Sequence, residues 1–151
     1  MTTLHPLPTL FGRLSTILSE HDHLKGTLGK LAEMCLALES GRTTLPSELE
    51  PERLIGALRA ELTRHFVAEE GVAHFGAMAE ERPELLPRIV ELKTDHVTML
   101  QNIADLTLIA SAPERRSELP PRTLELMAKL RAHEKAEAEL VREFMLDERV
   151  R

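Results

Sequence analysis

The chain has 151 residues, of which 42% are hydrophobic and 29% charged, and its formal net charge is −6. This length is typical of one domain, and the composition excludes collagen-like, largely disordered and disulfide-dense proteins. Because the negative charge repels phosphate backbones and anionic lipid surfaces, we expect neither nucleic acid nor a membrane as a partner.

The single cysteine, Cys35, cannot form an intramolecular disulfide, which favours a reducing compartment. The first residues lack the basic start and the continuous apolar run of a signal peptide. No stretch of about 18 apolar residues occurs that could span a membrane. We therefore expect a soluble, cytoplasmic protein, with Cys35 as a small residue of its core.

Four stretches have apolar residues at the 3 and 4 spacing of an α-helix, and β-type alternation is absent. The predicted helices cover about 10–39, 51–81, 84–110 and 121–148. In the second helix, the residues expected on the apolar face are Leu54, Leu58, Leu62, Val72 and Ala73. The short connections favour antiparallel neighbours, so we predict an all-α, up-down-up-down four-helix bundle that forms one domain over residues 1–151.

Two predicted helices place a histidine and a glutamate on their apolar faces. His65 and Glu69 are four residues apart between Leu62 and Val72, and His133 and Glu137 repeat this spacing between Leu130 and Leu140. Residues four apart in an α-helix lie on one side, about 6 Å apart along the axis. Each His-x-x-x-Glu pair can therefore face one small volume inside the bundle.

The other two helices each contribute one histidine to an apolar face. His21 and His96 both have apolar neighbours at −7, −4, +3, +7 and +10. His23 has polar residues or glycine at the first four of these offsets and is expected to face water. His74 follows His65 by nine residues, which is a net rotation of 180° in a continuous helix, and it is expected to lie off the apolar face.

Six polar residues thus lie at one level of the predicted bundle: His21, His65, Glu69, His96, His133 and Glu137. Burying four imidazoles and two carboxylates without a cation would cost several kcal/mol. The set exceeds the four ligands of a structural zinc site and suits two ions about 3.5 to 4 Å apart, bridged by the two glutamates. Residue types alone do not separate iron from manganese or zinc.

Carboxylates next to these residues are candidates to accept the free imidazole N–H groups and so to orient the rings. They are Glu20, Glu61, Glu70, Asp95 and Glu134.

With this pattern, the chain resembles the hemerythrin-like, HHE cation-binding family over nearly its whole length. The stretches Ser-Glu-His-Asp-His-Leu, His-Phe-Val-Ala-Glu-Glu and His-Glu-Lys-Ala-Glu are similar to those of family members. The resemblance implies a non-haem di-iron centre with carboxylate and oxo or hydroxo bridges. Family members include oxygen carriers, oxygen, redox and iron sensors, and proteins that repair damaged iron–sulfur centres.

Two departures separate this sequence from the oxygen-carrying hemerythrins. Their third helix has His-x-x-x-His, whereas here Leu100 follows His96 at +4, and their last helix has His-x-x-x-x-Asp, whereas here Glu137 follows His133 at +4. With one histidine fewer, an open iron position is expected to bind or react with O2, NO or peroxide in sensing, redox or repair roles. The alternative is an iron-sensing or metal-responsive interaction module.

Overall fold

The computed structural model describes the backbone of residues 6–150 and the side chains of residues 23–146. Four long α-helices dominate: α1 (Pro6–Glu39), α2 (Pro51–Glu70), α4 (Leu86–Ala110) and α5 (Leu119–Val150). A short helix, α3 (Ala77–Glu81), lies between α2 and α4. Shorter helical turns occupy Ser47–Leu49, Val72–Gly76, Pro83–Leu85 and Pro113–Glu118. The described residues include no β-strand.

The long helices form a four-membered bundle in which each contacts two neighbours. Helix α1 packs against α2 and α5, and α4 packs against the same two helices from the other side. Helices that follow each other in the chain are therefore neighbours in space, as short connections require. The prediction of an all-α four-helix bundle is confirmed.

A layer of polar side chains divides the interior into two apolar clusters. The larger cluster includes Leu58, Leu62, Ile103 and Leu130, and it also contains Cys35, which is buried as expected. Burial raises the pKa of the Cys35 thiol to about 11, so this cysteine is a packing residue rather than a nucleophile. The smaller cluster contains Phe75, Met78, Leu85, Ile89, Leu92, Leu140 and Phe144.

The second predicted helix is not continuous over residues 51–81. Helix α2 ends at Glu70, because Gly71 has the extended angles φ −66° and ψ 160°. A single π-helical turn, Val72–Gly76, follows, in which the Gly76 N–H donates to the carbonyl oxygen of Gly71. A Cβ atom at Gly71 would lie 3.2 Å from the Ala68 carbonyl oxygen, so this close approach favours glycine.

The interruption corrects the prediction that Val72 lies on the apolar face of the second helix. Its side chain is 83% exposed. The expectation assumed a uniform rotation of 100° per residue, and the extended Gly71 resets that rotation before Val72 is reached.

Within the part of the chain that the structure describes, no helix combines the length and the apolar character needed to cross a membrane.

Candidate metal centre

The polar layer contains five of the six residues that the sequence predicts as metal ligands. They come from three helices and are all buried: His65 and Glu69 from α2, His96 from α4, and His133 and Glu137 from α5. The sixth residue, His21, lies outside the described side chains. The predicted convergence of helices α2, α4 and α5 on one volume is therefore present in the structure.

The side chains of Glu69, His96 and His133 form one group of possible ligands, with one ligand atom of each within 4.8 Å of the others. The Nε2 atoms of His96 and His133 are 3.1 Å apart. The Oε2 atom of Glu69 lies 3.7 Å from His96 Nε2.

Carboxylates from neighbouring helices fix the orientation of both imidazoles. His96 Nδ1 donates to Glu70 Oε2 at 3.0 Å, and His133 Nδ1 donates to Asp95 Oδ2 at 3.1 Å. Glu70 and Asp95 are thus two of the five carboxylates proposed from sequence for this role. In a neutral imidazole whose Nδ1 carries the proton, Nε2 has only a lone pair. Burial lowers the pKa of His133, which favours this neutral form.

This arrangement directs two nitrogen lone pairs toward each other across 3.1 Å, which is repulsive unless a cation or a proton lies between them. Two ligand atoms about 2.1 Å from one ion are about 3 Å apart when they meet it at a right angle. The imidazole pair therefore has the spacing that a divalent cation requires.

A second group of possible ligands shares Glu69 with the first. It consists of His65, Glu69 and Glu137, again with one ligand atom of each within 4.8 Å of the others. His65 Nε2 lies 2.5 Å from Glu69 Oε1, and His133 Nε2 lies 3.6 Å from Glu137 Oε2. Because Glu69 belongs to both groups, its two oxygens can contact two ions.

Neither oxygen of Glu69 makes a hydrogen bond of good geometry, and Glu137 Oε2 has no hydrogen-bond partner either. A buried carboxylate oxygen without a partner is costly and calls for an explanation, of which a cation is the simplest here. The donor atoms of the layer are thus suited to bind metal ions.

The two glutamates do not ionise independently. Burial and the adjacent Glu69 carboxylate raise the pKa of Glu137 to about 11. Burial also acts to raise the pKa of Glu69, but the protonated carboxyl group of Glu137 and the His65 imidazole outweigh it, so this pKa lies below its ordinary value. The pair therefore holds one proton near neutral pH, at a position where a cation would take its place.

The sequence predicts that two further histidines lie off the apolar faces, and the structure agrees for only one of them. His23 is exposed, as expected. His74, expected to lie off the apolar face, is instead fully buried, with its Nε2 atom 4.0 Å from Glu137 Oε1. The cause is again the interruption at Gly71, after which the rotation counted from His65 no longer applies.

Phenylalanine rings pack around the His96 imidazole. The ring of Phe66 stacks on it with centroids 3.9 Å apart and planes 9° apart. The ring of Phe75 lies nearly parallel to it at 6.0 Å. This packing limits rotation of the imidazole and surrounds the polar layer with apolar atoms.

The hemerythrin HHE cation-binding domain family matches residues 13–144 of the chain. The match includes most or all of each long helix and every described residue of the polar layer, and the chain belongs to this family. No curated protein and no solved structure showed a match. The family and the two buried ligand groups together support metal binding by this chain.

The carboxylate that orients His133 provides a test of this site. Replacing Asp95 by Asn removes the charged acceptor and leaves the side-chain volume nearly unchanged. We expect metal affinity to fall by about 10- to 100-fold, because the imidazole becomes less basic and less well oriented. Isothermal titration with a divalent cation measures the change.

The matched control is Glu91→Gln, which removes an exposed carboxylate from the same helix. Equal affinities for the two variants would contradict the assigned role of Asp95.

Proposed function

We propose that this chain is a non-haem di-iron protein whose open coordination position binds or reacts with O2, NO or peroxide. The corresponding cellular role is oxygen or redox sensing, or repair of iron–sulfur centres. The observation that carries the proposal is that two ligand groups share Glu69. A carboxylate common to two groups is the arrangement that two adjacent ions require, whereas a single structural ion needs only one group.

The donor types agree with iron. Imidazole nitrogens and carboxylate oxygens are ligands for iron, manganese and zinc, and the sulfur of Cys35 lies in the apolar cluster rather than in the layer. The two ligand groups supply three imidazoles and two carboxylates. A pair of iron ions takes up to six ligands each, so positions are left for an external molecule. Bound iron would supply one-electron redox chemistry and affinity for diatomic ligands.

The protein side chains would then bind the ions, hold their charge and keep bulk water away. Ionised Glu69 and Glu137 neutralise part of the positive charge, and the outer carboxylates of Glu70 and Asp95 add to this. The apolar clusters on both sides of the layer restrict access to small uncharged molecules. These properties suit O2, NO or peroxide better than a large organic substrate.

The optical spectrum tests this proposal, since the chain contains no Trp and no Tyr to absorb in the near ultraviolet. Protein loaded with Fe(II) without oxygen is then exposed to air or to NO. We expect new ligand-to-metal charge-transfer bands in the wild type and in His23→Leu, a variant of an exposed histidine. They should be absent from His133→Leu. A wild-type spectrum that does not respond to either gas would contradict the proposal.

The alternative function is an iron-sensing or metal-responsive interaction module without catalysis. It is favoured by the burial of two adjacent glutamates, because a bound cation would then stabilise the fold itself. Under the di-iron proposal, the neutral form of Glu137 that its raised pKa favours and the two apolar clusters keep the metal-free chain folded.

Thermal unfolding of the metal-free protein separates the two functions. A ligand at 1,000 times its dissociation constant stabilises by about 4 kcal/mol, so we expect iron removal to lower Tm by about 10 °C. Circular dichroism measures this change. Loss of the folded state, or a fall in Tm of several tens of degrees, would favour the sensing module.

A further inference from the structure

His74 is the one described histidine of the polar layer that lies outside the two ligand groups. It has no exposed surface and reaches the layer from the π-helical turn Val72–Gly76 rather than from one of the long helices. Single π-helical turns within α-helical segments often occur at functional sites, because they change the direction of the following side chains. The same turn places Phe75 against His96, so it supplies two adjacent residues to the layer.

The distance from His74 to Glu137 distinguishes a direct hydrogen bond between them from the binding of one cation by both. His74 Nε2 lies 4.0 Å from Glu137 Oε1, which is too long for a direct hydrogen bond. Two atoms that bind the same ion at about 2.1 Å are between about 3 and about 4.2 Å apart, depending on the angle at the ion. The separation is therefore outside hydrogen-bond range and within the range of two ligands to one cation.

Among the residues whose side chains the structure describes, the two ligand groups differ in composition, and His74 would add an imidazole to the second. The first group has two imidazoles, His96 and His133, with Glu69. The second has one imidazole, His65, with the two carboxylates Glu69 and Glu137. An imidazole next to Glu137 gives the second group two nitrogen donors as well, and it adds no negative charge to a site that already contains two carboxylates.

We propose that His74 is a metal ligand, binding through Nε2 the ion that His65, Glu69 and Glu137 also bind. This inference rests on the proposed function, since it requires that the layer binds two metal ions. It is independent of His21, because an ion with up to six ligands can accept both imidazoles. The fourth imidazole of the described layer then comes from the turn after Gly71, which the helical spacing of the sequence does not reveal.

Nitrogen NMR of the wild-type chain tests the proposal directly, and a variant is needed only to assign the His74 signals. The imidazoles are labelled with ¹⁵N, and Zn²⁺ is added as a diamagnetic probe, with His74 assigned from its loss in His74→Gln. We expect Nε2 of His74 to shift on metal addition in the same direction as Nε2 of His133. The exposed His23 serves as an internal control that does not shift.

The outcomes separate the inference from the function on which it rests. If the wild type takes up two ions and the His74 nitrogens do not shift, then His74 is only a buried core histidine and the inference is wrong. If the wild type takes up no ion, the proposed function fails as well. A His74 shift that saturates with the second equivalent of Zn²⁺ supports both.

Binding affinities give a second readout. His74→Leu removes the donor, and we expect the affinity for one of the two ions to fall by at least about tenfold while the other is retained. His74→Glu restores a donor atom at a similar reach and should recover part of the loss. The control is Val72→Leu, an exposed position in the same turn. If His74→Leu bound both ions as tightly as this control, the proposal would be overturned.

Discussion

Glu69 has no exposed surface, yet its carboxylate lies among ionisable side chains from three helices of the bundle. An ionised carboxylate in such a place is costly unless positive charge compensates it. His65, His96 and Glu137 surround it, and in the absence of a cation the raised pKa of Glu137 keeps that neighbour neutral and limits the pair to one negative charge. The other ligand side chains of the layer surround this carboxylate, and two ions that share Glu69, as proposed, would compensate its charge more completely than a proton on Glu137 does.

The packing of the bundle determines whether the site exists at all. Each of the two facing imidazoles is oriented by a carboxylate from a different helix: His96 of α4 by Glu70 of α2, and His133 of α5 by Asp95 of α4. A shift of one helix along its neighbour would break these pairs and separate the ligand groups. The apolar clusters on both sides of the layer hold the helices in register, so the core that stabilises the fold also positions the ligands.

Helical spacing is sufficient to predict the parts of the site that lie in uninterrupted helices. His65 and Glu69, His96, and the pair His133 and Glu137 are all buried in one layer, because a rotation of 100° per residue holds within α2, α4 and α5. The helices themselves follow from the same periodicity and from the prolines and polar residues between them.

The same reasoning fails after Gly71, where it places Val72 inside and His74 outside, the reverse of the structure. The extended conformation of one residue and the wider π-helical turn change the rotation, and neither follows from apolar spacing. Gly71 lies inside an otherwise helical pattern, and such a glycine is the signal in the sequence that the helical rotation should not be extrapolated past it. The orienting carboxylates were proposed from sequence, but their partners depend on neighbouring helices and become clear only from the structure.

The metal content of the wild type and of Glu69→Gln tests the central claim most directly. Gln keeps the size of the side chain and removes its charge, and circular dichroism confirms that the variant is folded. After iron loading, we expect two ions per chain in the wild type and in the exposed control Glu139→Gln. We expect both to be largely lost from Glu69→Gln, because both ligand groups include this residue. Fewer than one ion in the wild type, or two ions in Glu69→Gln, would contradict the account.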